Sequence, residues 1–220
     1  MNTNPGSRHV RRSLIAASAA VIGLTAVGYS SAGDDEHHHH MTLHSATFAD
    51  GGTLPLSMIS TIPGANGQNS CTASGAAGGN ESPQLTWRHA PPETRSFVVI
   101  AYDVVPQFTH WAMYNIPADT TSLPQNAGTV GSVYGVQNGN DFGDPSYDGP
   151  CPPTTLKPHS HVYQFTVYAL DTFLPIVPTF GDFTPALPEG IYQELIEASR
   201  RGHVLASATI SGHFSAVAGD

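Results

Sequence analysis

Residues 96–117 read SFVVIAYDVVPQFTHWAMYNIP. Phe97 to Tyr102 is an unbroken apolar run whose length and composition suit a strand buried on both faces. From His110 to Ile116 the chain resumes as a second strand. A period of two puts Trp111, Met113 and Asn115 on one face and His110, Ala112, Tyr114 and Ile116 on the other. Asp103 closes the first run, and His110 opens the second after a short link through Val104, Val105 and Pro106. So short a link joins neighbouring antiparallel strands, which brings Asp103 and His110 to the same end of one sheet.

The flanking sequence has the same character. His161 to Leu170 alternates, with His161, Tyr163, Phe165 and Val167 on one face. Val204 to Phe214 alternates Val204, Ala206, Ala208 and Ile210 against Leu205, Ser207, Thr209 and Ser211. One helix is predicted from about Glu189 to Arg201, with Ile191, Tyr192, Leu195 and Ile196 as its apolar stripe and Gly202 just past its end. Two segments read as long loops: Ile62 to Ser82, rich in Gly, Ala, Ser and Asn, and Gly128 to Pro158, rich in Gly, Asp and Pro. With 22 Gly and 18 Pro in 220 residues, these signals predict a mainly β protein, an antiparallel sandwich or barrel with one late helix.

The N-terminus is read apart from the fold. Arg8, Arg11 and Arg12 precede an apolar, alanine-rich run from Ser13 to Gly28, and Ser30-Ser31-Ala32 is a small-x-small site. That is the anatomy of a secretory signal peptide over residues 1–32, which makes the protein exported, periplasmic or secreted. An uncleaved leader would act as a membrane anchor; after cleavage no transmembrane segment is expected, since the run falls short of about 20 residues. Residues 33–41 form an acidic, His-rich linker. Its His37, His38, His39 and His40 are candidate metal ligands, but no spaced Cys or His accompanies them and a solvated linker is the favoured reading. One domain is expected over 42–215, with 216–220 as a tail.

Charge narrows the function. Only 11% of residues are charged, and 8 Lys and Arg face 17 Asp and Glu, a formal −9. Cleavage would remove three of the 8 basic residues and none of the acids, taking the balance from −9 to −12. Lys157 is the one lysine. Nucleic acid and polyphosphate partners, which need clustered cations, are therefore excluded as readings. The two cysteines, Cys71 and Cys151, form a disulfide by default in an exported protein, with two buried thiols or one reactive thiol as the alternatives.

The few polar residues at strand ends mark the candidate site. Asp103, His110, His161 and Tyr163 would line one pocket, with Pro152 and Pro153 stiffening its rim. Imidazole N–H and phenol O–H groups donate to phosphate or carboxylate oxygens, and a carboxylate behind one imidazole favours its protonated form. The expected arrangement sets both histidines on one anion, Tyr163 beside them and Asp103 behind His110. A hydrolase built on Asp103 and His110 is the less favoured reading, because neither a Gly-x-Ser-x-Gly elbow nor a His-Glu-x-x-His sequence occurs. No cofactor is expected.

Several blocks, in order, resemble the phosphatidylethanolamine-binding protein family, in particular its bacterial Raf kinase inhibitor-like branch. They are Phe48-Ala49-Asp50-Gly51-Gly52, Asn80 to Trp87, His110 to Asp119, Tyr147-Asp148-Gly149-Pro150-Cys151-Pro152-Pro153, His161-Val162-Tyr163 and Gly202 to Ala206. The resemblance implies a β-sandwich with a small anion pocket at one end. It implies a binding role rather than an enzymatic one, for a phospholipid head group, phosphate or carboxylate. The alternative it suggests is an inhibitor or regulator that contacts a protein partner through the pocket loops; a homodimer is left open. Carried over by position, the implied ligand-binding set is Asp103, Pro106, His110, Pro152, Pro153, His161 and Tyr163. The chain departs from the family's Asp-Pro-Asp-x-Pro loop, where Asp103-Val104-Val105-Pro106 keeps only the first aspartate and the last proline, and in the Gly/Ala/Ser-rich stretch before Asn80.

Overall fold

Two sheets pack face to face over residues 40–175 and 188–219, which the computed structural model describes. The larger sheet holds strands β2 (Gly52–Thr53), β9 (Val204–Ser215), β8 (Ser160–Leu170), β4 (Ser96–Asp103), β5 (Phe108–Pro117) and β7 (Val136–Asn138), side by side in that order. The smaller holds β1 (Thr42–His44), β3 (Leu85–Arg88) and β6 (Ser122–Leu123). All pairs are antiparallel except the short β2–β9 pair. The mainly β sandwich expected from the sequence is therefore present. The signal-peptide segment and His37, His38 and His39 lie outside the described residues, and His40 is exposed. Among the described residues no helix is long and apolar enough to cross a membrane.

β4 is buried on both faces, as its unbroken apolar run requires. Phe97, Val99 and Ala101 face the small sheet, in a core with Trp87, Trp111, Met113, Phe165 and Val167. Val98 and Ile100 face the other way, against Ala112, Tyr114, Leu170 and helix α1 (Pro188–Arg200) through Ile191, Leu195 and Ala198. The helix ends as expected. Gly202 adopts φ 79°, its N–H donates to the Ser199 carbonyl, and the His203 N–H donates to the Ala198 carbonyl. This is the paired bonding of a left-handed C-terminal cap. Ile196, assigned to the apolar stripe, is 43% exposed; it sits at the edge of the stripe, and Ala198 packs instead.

The strict period of two fails at two places in β5. Val99 pairs Met113 and Phe97 pairs Ile116, so β5 spends one extra residue there. Asn115 takes it up at φ 55°, and its side-chain amide bonds both the N–H and the carbonyl of Leu174. The bulge moves Ile116 across to the Trp111 and Met113 face, opposite to the alternation read from the sequence. The second bulge lies between Ala101↔Trp111 and Tyr102↔Thr109, and its extra residue is His110. A similar slip between Ala169 and Leu170 turns Val204 of β9 toward the helix.

The domain edges also shift. Met41, read as linker, and Ala216, read as tail, are both buried in the first core. The long Gly128–Pro158 stretch contains β7, which pairs with β5 from Ala112↔Asn138 to Tyr114↔Val136. The Cys71–Cys151 disulfide is formed and joins the two long loops. The loop carrying Cys71 is organised by Asn69, whose buried side chain accepts from the Ile62 and Cys71 N–H groups and donates to the Ser60 and Ala76 carbonyls. Replacing Cys151 by Ser is expected to lower stability by about 2–5 kcal/mol, the usual cost of losing a native disulfide. Denaturant unfolding of the variant checks this, and intact mass with and without reductant checks the bond.

Candidate anion-binding site

Every side chain of the candidate set meets at one end of the large sheet. Asp103, Pro106, His110, Pro152, Pro153, His161 and Tyr163 line a cavity of about 200 Å³, together with Phe108, Phe142 and Cys151. Asp103 is the last residue of β4 and pairs with Tyr163 across β8, so their side chains share the face that Ala101 and Phe165 present to the core. His161 lies two residues before Tyr163 and faces the same way. His110 reaches this face only through its bulge. Regular alternation would have placed it opposite Trp111, on the helix side. Its ring instead packs edge-on against Tyr163, with centroids 5.3 Å apart.

The carboxylate serves a different imidazole from the one expected. Asp103 Oδ2 lies 2.6 Å from His161 Nδ1, and Oδ1 accepts the Val105 N–H at 3.0 Å. Both side chains of the pair are buried, at 5% and 3% exposure. His110 Nδ1 sits 2.6 Å from the Asp148 carbonyl oxygen, which can only accept, so Nδ1 carries a proton. In both rings Nδ1 is therefore committed to the protein, and Nε2 is the nitrogen left for a ligand.

The Asp148 carbonyl is itself held firmly. The Asp148 carboxylate accepts from Asn140 Nδ2 at 2.7 Å and Asn80 Nδ2 at 3.2 Å, while Asn80 Oδ1 accepts the Gly149 N–H at 2.7 Å. Gly149 passes so close to the Met58–Ser60 segment that an added Cβ would lie 2.0 Å from the Met58 carbonyl oxygen. Only glycine permits that approach. Pro150 then receives the Ser60 N–H and hands the chain to Cys151, Pro152 and Pro153 at the rim.

The aromatic wall escaped the sequence reading. Asn140 Oδ1 accepts the N–H groups of Phe142 and Asp144, a tight turn that presents Phe142 to Phe108 at 4.7 Å and to His110 at 5.7 Å. Its only signal in sequence was a lone aromatic in a Gly/Asp/Asn-rich stretch.

The electrostatics are unusual for an anion site. No lysine or arginine lines the cavity. Burial pushes the His110 pKa down, against the upward pull of the Asp148 carbonyl and the Asp103, Asp148 and Asp141 charges. His110 is then a neutral ring with an acceptor lone pair at Nε2. The Tyr163 phenol is held above its usual range by burial first and the Asp103 charge second. Its hydroxyl is buried near Asp103 and meets no well-aligned hydrogen-bond partner among the described residues. Tyr163 thus lines the cavity with its ring and with a hydroxyl that no described group satisfies.

Residues 44–215 match the sequence profile of the family described as phosphatidylethanolamine-binding protein. UPF0098 protein YbcL of Escherichia coli is 45% identical over a stretch covering 44% of this chain and 57% of that protein, so the match spans little more than half of that relative. UPF0098 protein YbhB of the same organism is 39% identical over 64% of this chain and 85% of its own. The crystal structure of Escherichia coli YbcL, described as a new member of the mammalian PEBP family, superposes with a TM-score of 0.60 at 30% identity. It covers 80% of this chain and 98% of that one. A homolog from Chlamydia trachomatis gives a TM-score of 0.58 at 27% identity over 80% of this chain and 97% of its own.

Two outcomes follow from the site's geometry. Replacing Asp103 by Ala removes the acceptor of the buried His161 Nδ1–H and is expected to cost about 1–3 kcal/mol, the range for a buried donor left unsatisfied; denaturant unfolding measures it. The depressed His110 pKa acts with the opposite pH sense to an ion-paired histidine. Below the unfolded value of about 6.5 the unfolded chain binds the proton more readily, so stability falls as pH drops through that value toward the folded pKa. A proton NMR titration should find His110 below 6.5, and His110→Asn should flatten this part of the stability profile.

Proposed function

Because this chain belongs to the phosphatidylethanolamine-binding protein family, we propose that it binds a phosphoester head group of zwitterionic character in the Asp103–His110–His161 cavity. The observation that carries this reading is the commitment of both Nδ1 atoms to protein acceptors, which leaves both Nε2 atoms for a ligand beside the Tyr163 hydroxyl. His161, held by Asp103 through Nδ1, presents Nε2 to a phosphate oxygen. Neutral His110 accepts at Nε2, which suits an ammonium N–H. Asp103, Asp141 and Asp148, which act on His110, favour a positive group beside it. Phe108 and Phe142 add aromatic faces that attract a cation. A ligand carrying both charges fits these surroundings better than a bare dianion, which no lysine or arginine would neutralise.

The reading is binding without turnover. No serine or threonine lines the cavity, and its one cysteine is in a disulfide, so the hydroxyl and thiol nucleophiles of a Ser- or Cys-hydrolase are missing from its lining. It also includes export. The charged leader with its apolar run and small-residue site supports that, as does a disulfide, which persists in oxidising compartments.

Calorimetric titration tests the function. Phosphoethanolamine should bind more tightly than inorganic phosphate. His110→Ala and His161→Ala should each weaken phosphoethanolamine binding by about 1.5–3 kcal/mol, the range for hydrogen bonds to charged groups. Equal affinity for wild type and both variants would mean that the histidines serve the fold and not a ligand.

A further inference from the structure

A second cavity, of about 240 Å³, opens on the helix side of the large sheet. Ile100 and Tyr102 of β4, Gln164, Thr166 and Tyr168 of β8, and Tyr192 of α1 line it. It shares no lining residue with the histidine cavity. Strand alternation sets Asp103, His161 and Tyr163 on the other face of the sheet. Half of the lining is tyrosine, and all three rings are partly buried. Tyr102 and Tyr192 meet edge to face with centroids 6.1 Å apart. The Tyr192 hydroxyl is 3.1 Å from Thr109 Oγ1, which ties the helix residue to β5.

No charged side chain lines this cavity. Its floor continues across β8 to β9, where Gln164 pairs with Ser211, Thr166 with Thr209 and Tyr168 with Ser207. Ser207 and Thr209 are exposed, as is Gln164, whose amide bonds no other described side chain. Thr166 Oγ1 and Thr209 Oγ1 lie 2.9 Å apart. β8 and β9 together contain no Asp, Glu, Lys or Arg, although the water-facing side of a strand is where such residues normally sit. Hydroxyl and amide groups take their place. Burial raises the pKa of Tyr102, Tyr168 and Tyr192, so the phenols stay protonated and keep their donors.

This chemistry selects among ligands. A phosphate or carboxylate finds no cation in the lining, and an organic cation finds no carboxylate there. A wholly apolar ligand would cover Gln164 and Thr166 without bonding them, which costs free energy. A sugar ring meets all three conditions. It is uncharged, its C–H faces rest on aromatic rings, and its hydroxyls both donate and accept. From these observations we propose that the cavity of Tyr102, Tyr168 and Tyr192 binds a neutral carbohydrate, one sugar ring entering between the tyrosines and the next lying over the Gln164–Ser211 and Thr166–Thr209 pairs. At about 240 Å³ the cavity falls below the roughly 300–1,000 Å³ usual for sites that enclose a whole ligand, which suits one ring of a longer chain. Because no ion pair contributes, added salt has little effect on binding. The site stands apart from the head-group reading and does not depend on it.

Calorimetric titration and amide NMR of the folded protein test this, with maltotetraose, cellotetraose and chitotetraose as neutral probes and tetragalacturonate as a charged one. At least one neutral tetrasaccharide should bind and shift amide signals in β8, β9 and α1, equally in low and moderate salt. Tetragalacturonate should bind at least tenfold more weakly. Tyr192→Ala should lose the affinity at least tenfold, whereas Tyr192→Phe, which keeps the ring, should bind nearly as the wild type does. Gln164→Ala changes an exposed side chain that the helix does not need for packing, and it should weaken binding several-fold with unfolding unchanged. Saturating phosphoethanolamine should leave the sugar affinity as it was, since the two cavities lie on opposite faces of the sheet. No binding of any neutral probe would overturn the proposal and leave the head-group reading standing. Equal binding of tetragalacturonate would overturn it too, as would Tyr192→Ala and Gln164→Ala variants that bind like wild type. So would variants whose only effect is to dissolve a dimer in analytical ultracentrifugation, since the face would then serve a second copy of the chain.

Discussion

The burial of β4 on both faces is the constraint on which the rest of the structure depends. An unbroken apolar run cannot leave either face in water, so one side must be covered by the small sheet and the other by α1. At roughly 25 cal/mol for each Å² of apolar surface withdrawn from water, neither layer is dispensable. The run stops at Asp103, and the carboxylate has to be satisfied where the strand leaves the core. Its partners are His161 Nδ1 and the Val105 N–H. The site is therefore the terminus of the most buried strand, with its polar groups at the edge of a dense apolar interior.

That position explains the chemistry. Burial depresses the His110 pKa in spite of three nearby carboxylates, so desolvation outweighs Coulomb attraction here. The two imidazoles consequently differ although both are buried. One backs onto a carboxylate and the other onto a carbonyl. Two like histidines thus sit in different surroundings, and the difference comes from their partners rather than from the rings.

The loops provide the remaining rigidity without regular secondary structure. Side-chain amides do much of the bonding: Asn69 for the Cys71 loop, Asn80 for Gly149, Asn140 for the Phe142 turn and Asn115 for the bulge and Leu174. A buried amide that satisfies several backbone groups at once replaces a missing ladder. The disulfide joins two of these amide-braced loops at the cavity rim. In a chain with 11% charged residues, such neutral bonds take the place of surface ion pairs.

Local sequence determined where the long strands and the helix lie, because apolar periodicity and the glycine after α1 act over a few residues. It also placed all seven pocket residues at one end of the fold, six through their strand-end or rim positions and Pro106 through the family resemblance. It missed whatever depends on an extra residue in a strand. The bulge at His110 and the one at Asn115 each reverse a face assignment, and a period-two reading has no means of seeing them. The partners of the two histidines were likewise beyond it. Asp103 is nearer to His110 in sequence, yet it pairs with His161, because strand pairing sets β8 beside β4 with Asp103 opposite Tyr163. The Phe142 wall likewise depends on a separate turn brought to the cavity against Phe108 and His110. Residue types and spacing named the groups available for chemistry; which nitrogen meets which oxygen was decided by register between strands far apart in the chain.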